Sequence, residues 1–194
     1  MGLFDFLTGG GVALKKPKSF RHNGRRLSEI LGAHAKFRKG QPDGARADLS
    51  GADLSRADLM AADLTDAILK GANLNAASLR KAKLSRADLS GANLQGAALS
   101  SADMTEAVLP GANLAGAQAG GVEFFRCDLQ GAIFHRANLR AANFRGSNLR
   151  GAQFAGADMG VTILRETDLD GVDLSGVDLS TTLMPRNYKA AQKP

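Results

Sequence analysis

The sequence predicts an all-β solenoid, a chain wound into stacked coils by a five-residue unit. Two observations carry that expectation. Every fifth position from Leu49 to Leu179 is large and apolar except Ala119, and the 27 sites hold 20 Leu, four Phe and two Met. Two places before each stands a small residue, Ala at 20 of the 27. A helix fails this pattern, because five residues advance 500° at 100° each and the apolar pairs would form no stripe. A flat strand fails too, since an odd period reverses the inward face at every unit. The apolar spacing of 2, 3, 2, 3 works only if the chain turns a corner between short extended segments. Gly stands two places after the large residue in 13 of 27 units, where a corner uses its freedom in φ.

A typical unit reads Ala47-Asp48-Leu49-Ser50-Gly51. In this register the chain resembles the pentapeptide repeat family. The resemblance implies a right-handed quadrilateral β-helix in which four units make one turn. Over residues 47 to 181 that gives about seven coils and, at the strand spacing, a rod of ~32 Å.

The elements follow in chain order. Residues 1–24 are expected to be a flexible or partner-docking segment. Leu3, Phe4, Phe6 and Leu7 form an apolar stretch, and Lys15, Lys16 and Lys18 a basic cluster behind a glycine run. An apolar anchor before a basic cluster suits a docking peptide or an interfacial membrane segment. The myristoylation pattern fails at Phe6, which stands where Ser or Thr is needed. Residues 25–46 are read as a short N-terminal capping helix over 26–38 and a linker. Leu27, Ile30, Leu31 and His34 share one face there, and Gly40 and Pro42 supply the stop. A solenoid leaves unpaired backbone at its ends, and such a helix would cover the first coil. Residues 47–184 form the β-helix, which Met184 completes before Pro185, and 185–194 a basic tail.

Within the β-helix, residues 20 apart should stack. One column reads Asp48, Ile68, Asp88, Val108, Asp128, Asn148 and Asp168, so neutral residues separate like charges. In another, Asn73, Asn93 and Asn113 suit an amide ladder. Ala119 leaves the interior short of a large side chain, and Phe124 is expected to fill the space. Phe144 should share its side, with Phe134 and Phe154 opposite. Cys127 falls at an inward small position and reads as a buried small hydrophobe.

Charge is unevenly divided. The whole chain is +6, but residues 1–45 carry +6, residues 46–181 carry −3 and the rest +3. An Arg belt interrupts the acidic rod: Arg126, Arg136, Arg140, Arg145 and Arg150, with Phe125 outward beside it. Arg80, Lys81, Lys83 and Arg86 share a side with Arg140, Arg145 and Arg165. A side like that suits an acidic protein surface or anionic headgroups. Nucleic acid would call for more positive charge and interleaved aromatics.

No catalytic residues, metal site or cofactor site is expected. His22, His34 and His135 are far apart, and Asp pairs recur because Asp belongs to the repeat. The absence of a cationic region ahead of the first apolar stretch and the lone Cys127 point to a bacterial, cytoplasmic protein. The reading that follows is a non-enzymatic scaffold that docks protein partners through its N-terminus and Arg belt. A second copy is the other partner expected, through the C-terminal coil. Two alternatives come from other classes. One is a DNA-mimicking binder of a type II topoisomerase, as some members of the resembled family are, although this Arg belt departs from their strongly acidic rods. The other is a peripheral membrane component held by the N-terminal segment.

Overall fold

The computed structural model describes residues 13–186 and 188. Parallel backbone bridges link residues 20 apart, from Asp48 to Ile68 at the start to Ile163 to Leu183 at the end. Five-residue units and a 20-residue coil give four sides. On each side the backbone bonds run between coils: Leu49 N–H donates to Ile68 O at 2.7 Å, and Ile68 N–H to Ala47 O at 2.9 Å. Each corner is a tight turn, as where Ala52 N–H donates to Leu49 O at 3.0 Å with Gly51 at φ 65°. A positive φ at the third turn residue favours Gly. Arg56, Ala61 and Asp66 take the same position at φ 56° to 64°. The aspartates brace the corners, since Asp48 Oδ1 accepts the Ser50 amide at 3.0 Å and its hydroxyl at 2.7 Å. Those bonds hold the Asp48 carboxyl below its ordinary value, the hydroxyl bond contributing most.

The interior is the apolar beat. Every large inward position from Leu49 to Leu164 is buried, and those of the last coil, Leu169, Leu174, Leu179 and Met184, are half-buried. The rings of Phe124 and Phe144 stack with centroids 4.8 Å apart, as do those of Phe134 and Phe154. The two stacks meet edge to face at 5.7 to 5.8 Å across the interior, which places them on opposite sides. Cys127 is buried, its thiol donating to Met104 O at 2.8 Å, and desolvation pushes its pKa up to about 12. Beyond it, several inward small positions carry hydroxyls instead of methyls. Thr162 and Thr182 donate to Leu139 O and Met159 O at 2.8 and 2.9 Å, so these buried oxygens are satisfied.

The amide ladder is partial. Asn73 donates to Asp53 at 2.9 Å and Asn93 to Asn73 at 3.3 Å. Ile133 then interrupts the column.

The N-terminal cap is larger than the expected helix. Lys15 pairs in parallel with Ala57, donating to Arg56 O and accepting from Asp58 N–H, both at 2.8 Å. It thereby extends one side of the rod beyond the first coil. A 3-10 turn, Pro17–Ser19, leads into strands β1 (Arg21–His22) and β2 (Arg25–Arg26), paired antiparallel. Asn23 and Gly24 join them with φ 48° and 76°. Asn-Gly is the two-residue hairpin signal that the sequence reading passed over. Residues 15–24 are therefore built into the cap, whereas Leu3, Phe4, Phe6 and Leu7 lie outside the described residues. Helix α1 spans Leu27–Arg38 and buries Leu27, Ile30 and His34. It starts one residue later than expected, because Arg26 is held in β2.

His34 ties helix to coil, since its buried Nδ1 accepts the Ala47 N–H at 3.1 Å. Burial pushes its pKa below 6.5, against the opposing pull of Asp63. Protonation at Nδ1 would break the bond to Ala47. Because the unfolded imidazole binds the proton more tightly, the His34 contribution is complete above pH 6.5 and lost as pH falls below it. The Ala47 amide should therefore lose protection against hydrogen exchange, measured relative to its intrinsic rate at each pH, on acidification below that value. The H34Q variant should lose this pH dependence.

Candidate protein-interaction face

One side of the rod changes character halfway along. Its bridge column runs Asp63, Lys83, Asp103, Glu123, Asn143, Ile163 and Leu183, from charged to apolar. Backbone bonds fix the neighbouring columns. Arg126 N–H donates to Arg145 O at 3.0 Å and Gly146 N–H to Arg165 O at 3.2 Å. Phe125, Arg145 and Arg165 thus stand one above another at the strand spacing of ~4.8 Å. The same bonding, Gly121 N–H to Arg140 O at 2.9 Å, sets Arg140 at the adjoining corner. Val161 and Leu183 are 50% and 44% exposed on this half.

Several of these side chains are held in place. The Arg126 guanidinium lies over the Phe125 ring, 4.9 Å from its centroid. Arg140 lies over Gly160, where a Cβ would come within 2.6 Å of its Nη1, and that nitrogen reaches Asp158 at 3.4 Å. Arg145 makes a two-pronged pair with Glu166 at 3.0 and 2.8 Å, and its hydrogen bonds hold the Glu166 carboxyl below its ordinary value. Arg126 and Arg165 make no ion pair among the described residues. The side therefore presents an excess of positive charge beside exposed apolar groups. At its C-terminal end it runs into an open hollow of about 950 Å³ lined by Arg165, Arg186 and Tyr188 together with Glu166, Asp168 and Asp170. That lining has no single charge sign, which suits a mixed protein surface better than one small anion.

Of the expected site residues, Phe125, Arg126, Arg140 and Arg145 come together on this side. Arg136 and Arg150 stand exposed at two other corners, since steps of five residues move round the coil. Lys15, Lys16 and Lys18 are exposed on the cap at the far end, with the Lys15 ammonium 5.9 Å from the Phe20 ring centroid. Sequence reasoning missed Val161, Leu183 and Gly160. Extending its 20-residue columns one coil further would have found Leu183 above Ile163. Among the described residues no group of His, Cys, Asp or Glu could hold a metal ion, and no helix is long and apolar enough to cross a membrane.

The family model described as "Pentapeptide repeats" matches in eight copies, over residues 45–80, 57–96, 87–124, 123–160 and 142–184. Among solved structures, the pentapeptide repeat protein Rfr23 from the cyanobacterium Cyanothece 51142 is 35% identical, covering 53% of this chain, with a TM-score of 0.36. This chain spans 63% of its length. HetL from Nostoc sp. strain PCC 7120, a pentapeptide repeat protein involved in heterocyst differentiation regulation, is 29% identical over 74% of this chain and 87% of its own, with a TM-score of 0.40. QnrB1, a plasmid-mediated fluoroquinolone resistance protein, is 25% identical over 73% of this chain and 78% of its own, with a TM-score of 0.29. No curated protein matches.

Proposed function

The chain belongs to the pentapeptide repeat family, and from that premise we propose that it is a non-enzymatic interaction rod that docks a protein partner on its Arg-rich side. The observation that carries this reading is that Phe125, Arg126, Arg145 and Arg165 stand at one corner and Arg140 with exposed Val161 at the next, bounding a side that ends in exposed Leu183. A rigid solenoid holds such side chains at fixed spacing, so little ordering cost remains to be met on binding. Aromatic and Arg side chains are also the types enriched at energetically dominant contacts. The surface ion pairs themselves add little to fold stability, so stability alone does not account for the cluster.

Three further elements complete the proposal. The coils are right-handed, as in the family; the N-terminal Leu3, Phe4, Phe6 and Leu7 form a second docking element; and the half-buried last coil receives a second copy. The setting proposed is the bacterial cytoplasm, consistent with a lone buried cysteine.

The test is affinity capture from the source lysate with three baits: wild type, the double variant R140E/R145E, and a truncation of residues 1–12. The truncation stops there because Lys15 onward builds the cap. Partners captured by wild type should be lost with R140E/R145E. Retention of every partner by both altered baits would remove the reading.

A further inference from the structure

Around the corner beside this face runs a column whose charges alternate in sign. Arg46, Asp66, Arg86, Glu106 and Arg126 occupy successive coils. The pairing is visible where Arg86 grips Asp66 with Nε at 2.7 Å and Nη2 at 3.0 Å. Arg38 of α1 reaches the same carboxylate. After Arg126 the alternation stops, because the next position is Gly146. One coil further stands Glu166, whose two oxygens are both taken by Arg145.

Arg126 is therefore a cation facing a position with no side chain. Its stem bends toward that position, with Cγ 3.4 Å from where a Cβ at Gly146 would stand. Phe125 supports the face of its guanidinium, and Arg126 as a residue is exposed. Arg165, which makes no ion pair among the described residues, adds a second cation one coil beyond Gly146. We propose that this gap receives a carboxylate from an acidic segment of the partner protein, which bonds to Arg126 while its apolar neighbours cover Phe125. This rests on the interaction reading above and specifies the chemistry of the partner. An arginine edge with an aromatic beneath it matches a carboxylate in geometry as well as in charge.

The probe is a short fluorescein-labelled peptide alternating Glu and Leu, with its Gln counterpart as control, followed by anisotropy against the full chain. The Glu peptide should bind more tightly than the Gln peptide and weaken as salt rises. R126Q should weaken it about tenfold, the loss of one charge-assisted contact. R136Q and R150Q, which remove the same charge at other corners, should leave it unchanged. G146E supplies the missing carboxylate within the chain and should weaken the peptide as R126Q does. The backbone tolerates that residue, because Glu106 and Glu166 hold the same corner position at φ 59° and 61°.

Equal weakening by R126Q and R136Q would reduce the effect to net charge and overturn the proposal. So would equal binding of the Glu and Gln peptides, or phosphatidylglycerol vesicles displacing the Glu peptide more effectively than its unlabelled form. The capture experiment with R140E/R145E is independent. Its failure with peptide binding intact would remove the partner reading, and failure at Arg126 alone would remove only the carboxylate.

Discussion

Replacing Phe144 with alanine is expected to destabilise the rod by about 3–5 kcal/mol, the range for deleting a buried aromatic ring. Phe144 is fully buried and touches three rings, stacking on Phe124 at 4.8 Å and meeting Phe134 and Phe154 edge to face at 5.7 and 5.8 Å. The loss goes beyond buried area, because each ring fixes the tilt of the others. Phe144→Leu restores the size used in most coils and should cost markedly less. Urea unfolding followed by circular dichroism measures both variants. Since each coil touches only its neighbours, the damage should spread from this point toward the half-buried last coil. Hydrogen exchange should show residues beyond Phe144 losing protection before the first coils do. An alanine variant as stable as wild type would mean that the interior repacks around the missing ring. Fluctuating Phe rings would be the sign of it.

Sequence and structure agree most where one physical constraint acts alone. The inward beat from Leu49 onward was legible because only one spacing lets short segments and corners share a narrow interior. The placement of Phe124 and Phe144 opposite Phe134 and Phe154 followed from it, since ten residues are half a coil. The cap was less legible because several weak signals act there at once. Asn23-Gly24 is a strong turn signal, but Arg21–His22 and Arg25–Arg26 have none of the apolar alternation that marks a strand. Lys15 joins the coil through backbone groups alone, which composition does not reveal. The candidate face fell between these cases. The belt of Arg126 to Arg150 was visible as a run of charge, yet a run in sequence winds round the rod. Only the 20-residue columns separate Arg145 from Arg136 and Arg150. The exposed Val161 and Leu183 are apolar residues off the beat, so nothing in their local sequence distinguishes outward contact groups from chance surface residues.

Gly44 to alanine is expected to have the largest effect of any single added methyl group, through the cap instead of the interior. The new Cβ would fall 2.6 Å from Phe37 Cα and 2.7 Å from the Lys36 carbonyl carbon. These are backbone atoms of α1, so no rotamer change relieves the clash. The last turn of the helix must move off the linker, at a cost of about 1–3 kcal/mol or more. That turn cannot shift independently, because Ala45 N–H bonds to Ala33 O at 3.1 Å and His34 accepts from Ala47 two residues further on. Moving it uncovers the apolar end of the first coil and its unpaired backbone groups, an invitation to edge-to-edge association. Gly44→Ala should therefore lower thermal stability and raise the scattering of concentrated samples. Gly32→Ala supplies the contrast within the same helix. Its Cβ would meet nothing within 4 Å, and alanine in a helix interior is worth up to about 1 kcal/mol over glycine. Opposite signs from one methyl at two glycines twelve residues apart would show that α1 is fixed to the coil by backbone contact. If both variants melt like wild type, the helix sits loosely over the first coil, and the pH sensitivity expected at His34 should vanish with it.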